Sequence, residues 1–334
     1  MGAATGIAFG RGSGPRTPRS ADAESLWLAA MDRLKRHFVM AGLWSLALLP
    51  FALQSLLGAV IGRVSYRRNG RSARVSRANL QLCFPDKPSE EVERLCAESL
   101  VATGRTLVET PGIWLRRPLA NARRLVEVRG IEVLETPLAE GQGVLILLPH
   151  IGNWEMLNVY LAQRGGGATA LYQPPRQAYL ADDIKKVRER LGNDMVPATV
   201  QGVRQLYQKL KCGGTVVVLP DQVPNQGEFA PFFAEMALTD TLVWRMAQRT
   251  GAAMILMCTL RRPDGRFDVE ARPCEPGVYD ADAAVGLEAV NLTVQRLVED
   301  YPAQYQWEYK RFRERPAGER KLYTFRSGEA QYHG

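Results

Sequence analysis

The sequence contains few of the residues that build metal centres and disulfide frameworks. Its 334 residues include five cysteines and three histidines. The cysteines are odd in number, far apart and never spaced as C-x-x-C, which argues against a disulfide framework or a zinc site and favours a reducing compartment. No G-x-S-x-G motif occurs, so a serine nucleophile of the hydrolase type is not expected. We also find no internal repeat, and no low-complexity stretch outside the two termini.

Acidic residues are outnumbered by basic ones. Lys and Arg total 43 against 35 Asp and Glu, which gives a formal net charge of +8, and 46% of the residues are apolar. This apolar fraction is sufficient for a buried core and excludes global disorder. The basic balance favours an anionic partner, which could be nucleic acid, phosphate-bearing lipid headgroups or an acidic carrier protein. Charge alone does not choose among these three.

Charged residues are absent from one long segment near the N-terminus. Residues 1–22 are typical of a flexible tail, and within the following segment, 23–75, residues 38–62 carry no charge. At about 1.5 Å per residue, that stretch could cross a hydrocarbon core roughly 30 Å thick, which predicts a membrane anchor. Pro50 makes a kinked span or an interfacial helix pair an alternative, and a buried core helix is a third. The denser basic cluster follows the stretch, so a span would leave the remaining chain in the cytoplasm.

Short apolar strands alternate with helices in the rest of the chain. Candidate strands are RLVEVRG, GVLILLP, ATALYQ, TVVVLP, AAMILMCTL and FDVEARP. Candidate helices begin near Asn153 and cover LADDIKKVRERLG, VRQLYQKLK, TLVWRMAQRTG and AAVGLEAVNLTVQRLVEDY. This alternation is typical of βαβ units and predicts an α/β fold with a largely parallel central sheet flanked by helices. We assign the α/β domain to residues 76–316 and a polar tail to 317–334.

The main chemical signal is the segment PHIGNWE, which directly follows the strand GVLILL. His150 is therefore expected at the carboxyl end of a strand, where open α/β sheets bind their ligands. Glu155 follows at a spacing of H-x4-E, and Gly152 would let it reach back from the first turn of a helix. A carboxylate on one imidazole nitrogen fixes the tautomer and suits His150 to act as a general base on a hydroxyl. No metal is expected, because the predicted α/β domain contains no second histidine.

Four blocks of sequence, in order, resemble one known family. HIGNWE is similar to the H-x4-D/E motif of the lysophospholipid acyltransferase superfamily, and its G-N-W-E form resembles the bacterial lipid A biosynthesis acyltransferases, the lauroyl and myristoyl transferases. LYQPPRQAYL, VVVLPDQVPNQGEFAPFF and YQWEYKRFRERP resemble three further blocks of that family. The residues that these blocks contribute to the predicted site are Arg176, Asp221, Gln222, Lys310 and Arg311.

The resemblance covers roughly residues 25–316 and implies a glycerolipid acyltransferase-like domain at the cytoplasmic side of a bacterial inner membrane. It implies direct acyl transfer without an acyl-enzyme, from a thioester of acyl carrier protein or coenzyme A to a hydroxyl of an anionic glycolipid, the lipid A precursor. His150 would deprotonate the acceptor while Glu155 holds His150. The backbone amides of Gly152 and Asn153, or the Arg176 guanidinium, would stabilise the oxyanion. No cofactor and no nucleic-acid partner are implied.

The other site residues have competing interpretations. Arg176 follows two prolines on a stiff loop and suits a phosphate or carboxylate, although a solvated loop arginine is the simpler alternative. Asp221 and Gln222 lie at a second strand end and favour a structural or substrate-orienting role. Lys310 and Arg311 belong to a basic, aromatic-rich cluster that fits a phosphorylated headgroup layer. Three rival functions are a non-catalytic protein that binds anionic lipid, a hydrolase of the same lipids, and an acyltransferase acting on lysophospholipid or another glycerolipid or aminolipid.

Overall fold

The computed structural model describes residues 18–116, 118–165, 167–172, 177–190 and 192–324. Most of the predicted flexible tail, residues 1–17, lies outside this part, and residues 18–22 form the start of a helix. Two compact units divide the chain at residue 42, and the second, residues 43–334, contains the sheet. Of the predicted polar tail, residues 317–324 are described and form neither helix nor strand.

The described residues form α-helices, β-strands and three short 3-10 turns. The α-helices are α1 (Pro18–Leu48), α2 (Phe51–Arg67), α3 (Arg71–Cys83), α4 (Ser89–Leu115), α5 (Pro118–Ala122), α6 (Glu132–Ala139), α7 (Glu155–Gln163), α8 (Ala181–Glu189), α9 (Val200–Lys211), α10 (Leu242–Thr250) and α11 (Ala283–Asp300). The strands are β1 (Leu125–Arg129), β2 (Val144–Leu147), β3 (Thr169–Tyr172), β4 (Asp194–Pro197), β5 (Thr215–Val218), β6 (Glu228–Phe232), β7 (Glu235–Thr239), β8 (Ala253–Arg261) and β9 (Phe267–Pro273). The 3-10 turns are Ala178–Leu180, Pro276–Tyr279 and Pro302–Gln304.

Seven strands form the central sheet in the order β1-β9-β8-β2-β5-β3-β4. β8, β2, β5, β3 and β4 are mutually parallel, whereas β9 pairs antiparallel with β8 and parallel with β1. Along β2, Leu145 and Leu147 pack into the hydrophobic cluster on one face, and Val144 and Ile146 into the cluster on the other. A strand buried on both faces needs a continuous apolar run, which is why GVLILLP does not alternate. The predicted α/β fold with its largely parallel sheet is confirmed.

Three strands were not predicted from the sequence. β4, the segment DMVP, is too short to show a strand pattern, and its place at the sheet edge depends on pairing with β3. β6 and β7 form a separate two-stranded antiparallel hairpin between β5 and α10. Pro231 lies within β6, and proline in a run of residues argues against a strand unless that strand is at an edge.

The uncharged stretch, residues 38–62, folds as two helices and not as one. α1 ends at Leu48 and α2 begins at Phe51, immediately after Pro50. The carbonyl groups at the break are bound by side chains: Gln54 Nε2 lies 2.8 Å from the Leu46 oxygen, and the Arg116 guanidinium donates to Leu49. Among the described residues, no single helix is long and apolar enough to cross a membrane. The two helical segments 30–48 and 51–67, which are bent relative to each other, could cross a membrane together by length and composition only.

Close packing joins α2 to α4. A Cβ atom added to Gly58 would overlap the backbone of Arg105, so only glycine permits this approach. α4, held against α2 in this way, supplies one wall of the cleft described next.

Candidate active site

The register of two neighbouring strands brings His150 and Asp221 together. β2 and β5 pair in parallel with Leu147 opposite Val218, and each of the two site residues follows its strand by three positions. The His150 ring therefore meets the Asp221 carboxylate, with Nδ1 2.8 Å from Oδ1. The other carboxylate oxygen accepts from the His150 backbone nitrogen at 2.8 Å. The sequence prediction that His150 lies at the carboxyl end of a strand is confirmed.

Asp221 is held in its ionised form despite its burial. The residue is 4% exposed, and its burial acts to raise its pKa, but the positive charge that His150 can carry and the hydrogen bonds from the His150 ring and backbone outweigh this effect. The pKa of Asp221 is therefore lowered below its ordinary value. Because a carboxylate can only accept, Nδ1 of His150 carries the proton.

The other ring nitrogen of His150 faces the side chain of Gln222. The two nitrogens, His150 Nε2 and Gln222 Nε2, are 3.1 Å apart. An amide NH2 group can only donate, so His150 Nε2 is an acceptor with an available lone pair. This tautomer agrees with the one that Asp221 imposes, and it leaves Nε2 ready to take a proton from a hydroxyl.

Glu155 forms no hydrogen bond with the His150 ring in the part of the chain that the structure describes, although the sequence prediction gave it that contact. It is the first residue of α7, and its carboxylate accepts from Trp114 Nε1 at 2.9 Å, Arg188 at 2.9 Å and Asn158 Nδ2 at 3.1 Å. These contacts satisfy the buried carboxylate within the wall of the cleft. Asp221, for which we favoured a structural or substrate-orienting role, takes the position beside His150 that we predicted for Glu155.

The backbone amides of Gly152 and Asn153 are both hydrogen-bonded to carbonyl groups elsewhere in the protein. Gly152 has a φ of +59°, and an added Cβ would overlap the carbonyl oxygen of Thr259. The Gly152 N–H donates to the Gln304 oxygen at 3.0 Å, and the Asn153 N–H donates to the Thr259 oxygen at 3.1 Å. Because both amides already have acceptors, the structure does not support the prediction that they stabilise an oxyanion. Their role is to fix the turn that presents His150.

Arg311 is buried, in contrast to the predicted surface role. It is 3% exposed, and its guanidinium donates to the Leu238 oxygen at 2.6 Å, to Thr239 and to Asn291, which joins the β6–β7 hairpin to α11. Lys310 is half-buried, with Nζ 5.3 Å from the centre of the Tyr323 ring. Neither residue lines the cleft around His150. The structure therefore does not support the predicted substrate contact of Arg311, and Arg176 lies outside the described residues.

His150, Gln222 and Glu155 line one cleft of about 670 Å³. Its volume falls within the range that small-molecule sites occupy. Most of the lining is apolar, and its apolar residues are Leu43, Leu107, Pro111, Trp114, Leu148, Trp154, Ala170, Leu171, Met195, Val217 and Leu219. Leu107 and Leu219 are 65% and 37% exposed and mark the mouth. The cleft thus combines one histidine base with a hydrophobic interior.

Two cleft residues were not predicted from the sequence. Arg188 on α8 pairs with Glu155, and Trp114 near the end of α4 donates to the same carboxylate. Each lies more than thirty positions from Glu155 in the chain, so no local spacing could indicate the contact. Among the described residues, no group of three or more His, Cys, Asp and Glu side chains could hold a metal ion.

The sequence of the chain matches a known family along most of its length. The model of a family described as bacterial lipid A biosynthesis acyltransferase matches residues 28–314. The chain belongs to this family. It is therefore an acyltransferase, and the family resemblance stated from the four sequence blocks is confirmed.

The relatives of this acyltransferase are named for different acyl groups and different acceptors. The lipid A biosynthesis palmitoleoyltransferase of Escherichia coli (strain K12) is 28% identical, over 86% of this chain and 93% of its own length. The lipid A biosynthesis lauroyltransferase of the same strain is 28% identical, over 83% and 90%. A phosphatidylinositol mannoside acyltransferase of Mycobacterium tuberculosis is 27% identical, over 72% and 75%.

Proposed function

We propose that this acyltransferase moves a fatty acyl group from the thioester of acyl carrier protein to a hydroxyl of a lipid A precursor. The observation that supports this most is the His150–Asp221 pair, which presents an unprotonated Nε2 in a cleft of apolar side chains. An acyl chain suits the apolar interior, and an acceptor hydroxyl suits a nitrogen base. The family membership favours lipid A as the acceptor.

The reaction proceeds in a single transfer. Nε2 of His150 takes the proton of the acceptor hydroxyl as its oxygen attacks the thioester carbonyl carbon, and Asp221 stabilises the imidazolium that forms. The tetrahedral intermediate then collapses, the carbon–sulfur bond breaks, and the imidazolium returns the proton to the leaving thiolate. The products are the ester and the free thiol of the carrier, so no acyl-enzyme is needed.

Gln222 is the proposed donor to the oxyanion. Its NH2 group lies 3.1 Å from His150 Nε2, which is where the acceptor hydroxyl must bind. When the acceptor hydroxyl binds to His150 Nε2, the Gln222 NH2 group loses that partner and donates instead to the neighbouring carbonyl oxygen of the thioester. A donor aimed at developing negative charge is worth about a hundredfold to a thousandfold in turnover. This assignment replaces the Gly152 and Asn153 amides, and Arg176 remains a second proposed donor.

The enzyme is proposed to work at the cytoplasmic face of the bacterial inner membrane. Basic residues flank the uncharged stretch, and α2 exposes apolar side chains to the surroundings. A lipid acceptor and an apolar helix face both favour that location.

A different glycolipid acceptor is the alternative function. The mycobacterial relative is named as a phosphatidylinositol mannoside acyltransferase, so a protein of related sequence is named for an acceptor other than lipid A. The base, its partner and the cleft would serve either acceptor, because each offers a hydroxyl beside an anionic headgroup.

An acylation assay separates these functions. Purified enzyme is incubated with acyl carrier protein thioesters or acyl coenzyme A and with lipid A precursor, phosphatidylinositol mannoside or lysophospholipid, and the products are weighed by mass spectrometry. We expect one added acyl chain on the lipid A precursor from the carrier thioester. Acylation of phosphatidylinositol mannoside or lysophospholipid instead would identify the alternative, and release of free fatty acid alone would identify a hydrolase.

A further inference from the structure

Two adjoining clefts lined by arginines lie on the side of α4 that faces away from the active site. The first, of about 620 Å³, lies between α2, α4 and the end of β8, and the second, of about 330 Å³, lies beside it. Arg63 and Arg105 line both. The α4 residues of the active-site cleft and those of the first arginine cleft lie on roughly opposite helix faces, at about 100° per residue.

Part of the charge in these clefts is not neutralised by the protein. Arg261 pairs with Glu109 at 2.5 Å, and Arg262 pairs with Asp268 at 3.0 Å. Arg63, Arg67 and Arg105 have no carboxylate partner within 4.0 Å in the part of the chain that the structure describes. The acidic lining residues are already paired, Glu98 with Arg94 at 2.9 Å and Asp264 with Arg266 at 2.8 Å. Arg63, Arg67 and Arg105 of the first cleft are thus available to an external anion.

Arg105 is the centre of this arrangement. Its Nε atom is buried and has no hydrogen-bond partner among the described residues. Burial lowers the pKa of Arg105, and the positive charges of Arg261 and Arg63 lower it further, while Glu109, which is already paired with Arg261, offsets only part of this effect. A partly buried cation beside two others is unfavourable until an anion balances it. A phosphate group offers the oxygens that a guanidinium binds best.

The exposed face of α2 indicates where that phosphate comes from. Six apolar side chains on this helix are between 38% and 56% exposed: Leu53, Leu56, Leu57, Val60, Ile61 and Val64. At about 100° per residue they share one face of the helix, Arg63 lies at the edge of this face, and Arg67 lies in the last turn of the helix. An apolar helix face bordered by arginines is typical of a helix lying in the headgroup boundary of a bilayer.

We propose that the two arginine clefts bind the phosphate of an anionic phospholipid headgroup while the apolar face of α2 enters the acyl region. The lipid bound there is a component of the bilayer and is not the acyl acceptor, because the clefts are on the far side of α4 from His150. The site holds the enzyme on an anionic membrane whichever acceptor it acylates, so it does not depend on the proposed function.

Vesicle flotation with the full chain tests this assignment. Wild-type protein is mixed with vesicles of phosphatidylcholine, with or without phosphatidylglycerol, and compared with Arg63→Gln/Arg67→Gln and with Arg105→Gln. The first variant changes two exposed side chains, so its fold is not at risk. The matched control is Arg204→Gln/Arg249→Gln, which removes the same charge from exposed positions of α9 and α10 outside the clefts.

We expect binding to the anionic vesicles to fall about fivefold for each arginine removed from the clefts, since a basic residue near an anionic surface contributes about that factor. The control variant should bind within about twofold of the wild type. Equal weakening by the two double variants would mean that only net charge matters, and would overturn the proposal.

Acyl transfer to acceptor dissolved in neutral detergent distinguishes the bilayer lipid from the acceptor itself. We expect Arg63→Gln/Arg67→Gln to keep the wild-type KM for acceptor under these conditions. A KM raised tenfold or more would show that the clefts hold the acceptor's phosphate, which would overturn the proposal. Inactive His150→Gln should still bind anionic vesicles like the wild type, so failure of the proposed chemistry and failure of the lipid site give different results.

Discussion

Replacing Asp221 with asparagine should reverse the protonation of the His150 ring. The carboxylate accepts two hydrogen bonds, from the His150 backbone nitrogen and from Nδ1, each at 2.8 Å. Asparagine in the same position has one oxygen, and the fixed backbone N–H requires it because an NH2 group cannot accept. The NH2 then donates to Nδ1, which forces the ring proton onto Nε2. The nitrogen that faces the cleft would no longer have a lone pair for the acceptor proton.

The expected loss of kcat is large because the lone pair on Nε2 that accepts the proton is removed, although the His150 ring stays in place. The equivalent change in a serine-protease triad, also a wrong tautomer, lowers turnover by about ten-thousandfold. At about 1.36 kcal/mol per factor of ten, this is roughly 5 kcal/mol of transition-state stabilisation. We expect kcat of Asp221→Asn to fall by about a thousandfold to ten-thousandfold.

Two measurements check this prediction. The first is kcat for acyl transfer, and the second is the tautomer of His150, read from the nitrogen chemical shifts of protein labelled with ¹⁵N-histidine. The chain has three histidines, so few ring signals have to be assigned. Wild-type His150 should be protonated at Nδ1, and Asp221→Asn should be protonated at Nε2.

Glu155→Gln is the matched control, because it also replaces a buried cleft carboxylate with an amide but does not touch His150. Its amide oxygen can still accept from Trp114 or Arg188, so we expect a smaller loss of kcat than in Asp221→Asn and an unchanged tautomer. A loss in Glu155→Gln that equals or exceeds the loss in Asp221→Asn would refute the assignment of Asp221 as the partner of His150.

Three further predictions concern stability, measured by urea unfolding. Gly152→Ala should lower the free energy of unfolding by about 2 kcal/mol or more, since it adds an overlap with Thr259 to a left-handed backbone. The control Gly251→Ala has a similar φ of +66° but open space around it, and should lower that free energy by only about 1 kcal/mol. Equal losses in the two variants would contradict the overlap at Gly152. Arg311→Met should lose about 2–4 kcal/mol of stability because it removes buried hydrogen bonds. Arg313→Met, at the exposed position two residues further on, should stay within about 0.5 kcal/mol of the wild-type stability. A higher KM for acceptor in Arg311→Met without lost stability would support the substrate-binding prediction instead. Because the pKa of Asp221 is lowered in the folded state, its ionisation stabilises the fold above the ordinary value of 3.8 and this contribution is lost as pH falls through the lowered value. The stability difference between wild type and Asp221→Asn should therefore narrow as the pH is taken from 7 to below 3.8, and a constant difference would contradict the lowered pKa.

The sheet and the position of the base could be predicted from the sequence. The apolar runs GVLILLP and TVVVLP are long enough to be recognised as buried strands, and the polar residues after them mark one sheet edge. Parallel pairing of two such strands puts His150 and Asp221 at equal distances beyond the sheet. The sequence alone did not reveal that register, because strand order is decided by long-range packing.

The site predictions that the structure does not support share one physical cause. Glu155 was favoured as the partner of His150 because it is near in sequence, but α7 directs its carboxylate toward Arg188 and Trp114, which come from distant helices. Arg311 belongs to a basic run that looks like a surface, yet the β6–β7 hairpin folds over it and supplies carbonyl acceptors. Which member of a polar cluster becomes buried depends on partners far along the chain.

The most direct test of the proposed chemistry is the rate at which His150→Gln acylates the lipid A precursor, compared with the wild-type enzyme. Glutamine fills similar space but cannot take a proton at neutral pH, so we expect the mass increase of one acyl chain to slow by at least a thousandfold in a protein that remains folded. Activity of His150→Gln within tenfold of the wild type would contradict the role of His150 as the general base.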